Sequence, residues 1–70
     1  MAELVSPLPG LVATVHVKAG DHVAAGDPVV TLQSMKMEIP VAAEADSTVE
    51  AVLVEEGVEI DTGALLARFA

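Results

Sequence analysis

Near the middle of the chain, Ser34-Met35-Lys36-Met37-Glu38 sets one lysine between two methionines. A lysine amine is protonated at neutral pH and becomes a nucleophile once that proton is removed. Acylation then converts a charge into a neutral amide at the end of a long flexible stem. Methionine is soft, unbranched and adaptable, which suits it to contact with another protein. Two methionines exposed beside an exposed lysine cost solubility with no evident folding gain, so the pattern points to a partner that reads this segment. The plainer alternative makes Lys36 a solvated charge on a turn, with Met35 and Met37 filling core space.

No other constellation competes. His16 and His22 lie six positions apart with no third ligand at a recognisable spacing, so a metal site is not expected. No Ser–His–acid arrangement stands out, and with Phe69 as the one aromatic there is little bulk to wall a substrate pocket. A catalytic role is therefore not expected. Eleven acidic residues face only Lys18, Lys36 and Arg68, for a formal net charge of −8. That balance, with no Trp or Tyr, excludes a phosphate-tracking or base-stacking surface for nucleic acid. Glu50, Glu55, Glu56, Glu59 and Asp61 form a solvated acidic face, or alternatively steer docking toward basic subunit surfaces. Apolar runs such as Ala51 to Val54 fall far short of the ~20 residues that span a membrane. The N-terminus carries Glu3 and no basic stretch, so no signal peptide is read, and a cytoplasmic location away from membranes is expected. With no Cys there is no disulfide and no thiolate metal site.

The elements that must position Lys36 are strands. At 70 residues the chain has room for one domain, spanning 1–70, and such a chain buries only roughly 60% of the surface its unfolded form exposes. Gly or Pro interrupts nearly every helical window, apolar spacing is nearer two than 3.6, and the twelve valines suit a pleated surface. Strands are read near 2–6, 11–17, 28–33, 38–43, 48–54 and 64–69, with Val23 and Ile60 as very short strands between turns. Strands 28–33 and 38–43 are joined so tightly that they form a hairpin with Lys36 at or beside its tip. A tip without Gly, Asn or Asp is unusual for a tight hairpin.

An internal repeat organises the chain. Shifted by 37 positions, Val12, Val15, Val17, Gly20 and Gly26 fall on Val49, Val52, Val54, Gly57 and Gly63. Val23 falls on Ile60, Val29 on Leu66 and Leu32 on Phe69. Neither half can bury its own apolar face, so the two pack together as a two-layer β structure about a pseudo-twofold axis. The odd spacing of Val12 and Val15 recurs at Val49 and Val52. Either a bulge or bend shared by both halves turns both valines inward, or Val12 and Val49 pack on a second covered face. The paired glycines read as turn positions that need positive φ or close backbone approach.

Ser34-Met35-Lys36-Met37-Glu38 resembles the attachment signature of the biotinyl domain family, whose core is Met-Lys-Met. Pro7-Leu8-Pro9-Gly10 resembles that family's Pro-Met-Pro-Gly segment. Val17, Gly20, Asp21, Val23, Gly26 and Asp27 resemble its V-x-x-G-D-x-V-x-x-G-D segment. The resemblance covers essentially the whole chain. It implies an all-β flattened barrel, or barrel-sandwich hybrid, of two four-stranded antiparallel sheets. It also implies covalent biotin on Lys36, with Met35 and Met37 as flanking recognition residues and Ser34 and Glu38 as lesser ones. The implied partners are a biotin protein ligase, a biotin carboxylase and a carboxyltransferase. The domain then swings a carboxyl-bearing arm between the last two and performs no catalysis itself, most naturally in an acyl-CoA carboxylase. Leu8 stands where Met is usual and Gln33 where Glu is common. No insertion follows the Gly26 turn, so no protruding thumb is expected. The runner-up is a lipoyl acyl carrier, whose typical Asp-Lys-Ala the two methionines oppose. A third reading is an unmodified protein-interaction module.

Overall fold

In a computed structural model, residues 2–70 are described, and Met1, within the expected 1–70 domain, lies outside them. Eight strands run β1 Ala2–Val5, β2 Gly10–Val15, β3 His22–Val23, β4 Pro28–Ser34, β5 Met37–Ala42, β6 Ser47–Val52, β7 Glu59–Ile60 and β8 Leu65–Phe69. They form two four-stranded sheets, β1-β8-β6-β3 and β5-β4-β2-β7, with every pairing antiparallel. No helix forms among the described residues, and none is long and apolar enough to cross a membrane. The expected all-β architecture and the two short strands at Val23 and Ile60 are present.

The repeat is visible in the topology. Exchanging β1 with β5, β2 with β6, β3 with β7 and β4 with β8 turns one sheet order into the other. Each sheet draws strands from both halves, so the halves are interleaved rather than stacked. The glycine turns lock them together. The Gly20 amide donates to the Val49 carbonyl and the Val49 amide to the Asp21 carbonyl, both at 2.8 Å. The second half returns the same pair, Gly57 to Val12 and Val12 to Val58, also at 2.8 Å. Gly20, Gly26, Gly57 and Gly63 all have φ between +85° and +96°, as the turn reading expected.

The odd valine spacing is resolved by bulges. The β2–β4 register slips between Val12 and Thr14, and the β6–β8 register slips between Val49 and Ala51. Ala13 and Glu50 are the extra residues, so Val12 and Val49 both turn fully inward. Val15 and Val52 are half-buried against the same core. That core is valine-rich, with Val12, Val29, Val30, Leu32, Val49 and Leu66 all under 2% exposed.

Candidate functional site

Lys36 sits on the turn between β4 and β5. Ser34 and Met37 are the last cross-strand pair, so Met35 and Lys36 alone form the loop. Their φ angles are +51° and +66°. Positive φ at both central positions is the pattern of a type I′ hairpin turn, whose twist matches the strands it joins. Left-handed backbone costs an ordinary residue about 1–2 kcal/mol. Among the described residues, Met35 and Lys36 are the only non-glycine residues that bear it. The rigid β4–β5 ladder, paired without interruption from Val30–Val41 to Ser34–Met37, holds them there.

The turn displays its side chains. Met35 is 92% exposed and Met37 62%, so neither fills the core. Lys36 and Glu38 are exposed and Ser34 half-buried. The one ion pair among the described residues joins Arg68 to Glu3 at 3.8 Å, which leaves the Lys36 amine unpaired. An exposed amine on a fixed turn, with a soft apolar side chain on each side, is suited to acylation by an enzyme that docks on the turn.

Two segments distant in sequence support the turn's base. Leu11 on β2 pairs with Gln33, and Gly10 pairs with Ile60 on β7. A Cβ on Gly10 would lie 2.9 Å from the Gln33 carbonyl oxygen, so only glycine lets β2 come this close to the hairpin. The Pro7-Leu8-Pro9-Gly10 segment thus ends beside the lysine hairpin, a proximity that its spacing in sequence does not signal. Leu8 itself packs against the core, so its departure from the family's Met alters packing rather than an exposed contact. A groove of about 600 Å³ opens between the hairpin base and β7, bounded by Gly10, Gln33, Ser34, Met35, Glu59 and Asp61.

The two Gly-Asp pairs have a local structural role. The Asp21 carboxylate accepts from the Lys18 amide at 3.0 Å and the Asp27 carboxylate from the Ala24 amide at 2.9 Å. Each closes its own turn. The histidines stay apart: His16 Nε2 meets the Thr31 hydroxyl at 2.6 Å and His22 Nδ1 the Thr48 hydroxyl at 3.3 Å. Among the described residues no three His, Cys, Asp or Glu side chains are grouped to hold a metal.

Residues 2–69 match the family described as "Biotin-requiring enzyme". The chain belongs to the biotin/lipoyl attachment family. It is a biotinyl domain, and biotin is the covalent cofactor that goes with it. It is 43% identical over 63 residues to the biotin-dependent acyl-coenzyme A carboxylase alpha3 subunit of Mycobacterium leprae, covering 90% of this chain but 10% of that protein. It is 46% identical over 52 residues to the biotin/lipoyl attachment protein of Bacillus subtilis, covering 74% of this chain and 71% of that one. Its fold superposes with a TM-score of 0.93 and 34% identity on a single-chain, multi-domain long-chain acyl-CoA carboxylase, covering 97% of this chain and 7% of that one. The biotinyl domain thus recurs both as a small part of large carboxylases and as most of a small attachment protein.

Proposed function

We propose that this chain is a biotin carboxyl carrier, a single domain over 1–70 in which Lys36 is the biotinylated residue. The observation that carries this is the turn. Among the described residues, the one strained non-glycine hairpin tip is the place where the attachment signature falls, and it exposes the lysine and both methionines. A biotin protein ligase would take a proton from the Lys36 ammonium so that the free amine attacks the carbonyl of a biotinyl-adenylate, forming the amide and releasing AMP, with the turn fixed in advance so that little ordering is lost on docking. Met35 and Met37 give the ligase and the carboxylase components an apolar contact on each side of the arm, and Ser34 and Glu38 border that contact. Bound biotin supplies a ureido ring that carries a carboxyl group. The domain supplies a rigid base for a long arm, which keeps its head at high effective concentration near a biotin carboxylase and a carboxyltransferase in turn. The identities to two acyl-CoA carboxylases favour that class, with chemistry left to the partner subunits.

The test is the intact mass after incubation with a biotin protein ligase, ATP and biotin. One biotinyl group is expected on the wild type and none on Lys36→Ala. A folded wild type that gains nothing would overturn the reading. Rates for Met35→Leu and Met37→Leu test the contact role, since modification and carboxylation at wild-type rates in both would remove it. The name of the Bacillus subtilis relative, biotin/lipoyl attachment protein, gives a lipoyl arm as second reading. A lipoyl ligase in the same mass assay tests it. Failure of both ligases would leave an unmodified interaction module.

A further inference from the structure

We infer that the groove beside the hairpin is a resting site for the head of the arm on Lys36, an inference that rests on the carrier reading above. The groove, about 600 Å³, falls in the size range of small-ligand sites. Its near wall is Ser34 and Met35, so it begins at the residues next to the modified one. Gly10 lines it as well and has no side chain there, since a Cβ would lie 2.9 Å from the Gln33 carbonyl oxygen. Its far wall is Glu59, Ile60 and Asp61.

The lining matches the chemistry of a cyclic urea fused to a thioether ring. The two urea N–H groups need acceptors, and the carboxylates of Glu59 and Asp61 are free to serve. Among the described residues, side-chain carboxylates are engaged at Glu3, Asp21, Asp27, Asp46 and Glu56 only. The urea carbonyl needs a donor, and Ser34 and Gln33, which both line the groove, carry a hydroxyl and an amide of that kind. The apolar ring has Met35 and Ile60 to lie against. Weak binding is enough. A short flexible tether gives an effective concentration in the mM range, so an intrinsic Kd of about the same size parks the head roughly half the time.

The test uses the ¹⁵N-labelled protein before and after biotinylation. The amide resonances of Gly10, Ile60 and Asp61 are expected to move, as well as those of Met35 and Met37. In the double variant Glu59→Ala, Asp61→Ala, both exposed positions and both stripped of a side-chain acceptor, the groove movements collapse while the turn movements remain. Streptavidin then captures the variant's biotin about 2-fold faster than the wild type's, because the open fraction of the arm sets the rate. Movements confined to residues 34–38, or equal capture rates, would overturn the inference. Intact mass, taken first, separates the two claims. A chain that gains no biotin sinks the carrier reading and this site with it, whereas a biotinylated chain with a silent groove sinks this site alone.

Discussion

Among the described residues, left-handed backbone occurs at five places of two kinds. At Gly20, Gly26, Gly57 and Gly63 the chain uses the residue that adopts positive φ without steric cost, and the turns serve only to lock one half to the other. At Met35 and Lys36 the same backbone region is filled by two long side chains. Asn-Gly would build that hairpin with less strain, but it would carry neither an amine nor a soft apolar surface. Where the frame needs only geometry, glycine provides it. Where side chains must be displayed at a fixed point, strain is accepted and the flanking ladder holds it.

The sharpest break in that comparison is Lys36→Ala. It should abolish biotinylation, read by intact mass, while the thermal midpoint stays within a few degrees of wild type because the side chain is exposed. Gly10→Val marks the comparison's limit, a glycine kept for space rather than for φ. With the Gln33 carbonyl in the way, it should destabilise by about 1–3 kcal/mol in urea unfolding and disturb the amide resonances of Gln33 and Ser34. Gly57→Ala meets no atom within 4 Å, so only backbone strain acts. The expected loss is about 1–2 kcal/mol with modification unchanged. Met35→Asn runs the other way. Relief of the turn should stabilise by a few tenths to about 1 kcal/mol, while ligase-catalysed modification slows. A Met35→Asn variant that is less stable than wild type would show that the turn is not strained.

The strands were legible because valine spacing, turn residues and a 37-residue repeat agree. The expected segments 28–33 and 38–43 appear as 28–34 and 37–42, and the shared break at Val12 and Val49 proved to be a bulge in both halves. Interleaving was not legible. A repeat shows that two halves pack, but the sheet joined by β3 or β7 depends on partners more than twenty residues away. The closeness of Gly10 to Gln33 is of the same kind, and with it the groove. The methionines were ambiguous for a different reason. In a period-two pattern an apolar residue fits either face, and only the turn's register leaves both methionines exposed. Asp21 and Asp27 were read as part of a family pattern, and their bonds to amides three residues earlier supply the physical reason.

The strand exchange that maps β4 onto β8 also maps β5 onto β1, and Ala2 pairs with Phe69. The lysine hairpin therefore has a twin in the adjacent ends of β8 and β1. Bridged by a two-residue linker, those ends would make a ring with two tips of the same kind. A ring of that form could be cut at the original tip and graft its lysine onto the new one, giving a permuted carrier with the same barrel. The same adjacency lets the domain sit as a cassette within a host polypeptide that enters and leaves side by side.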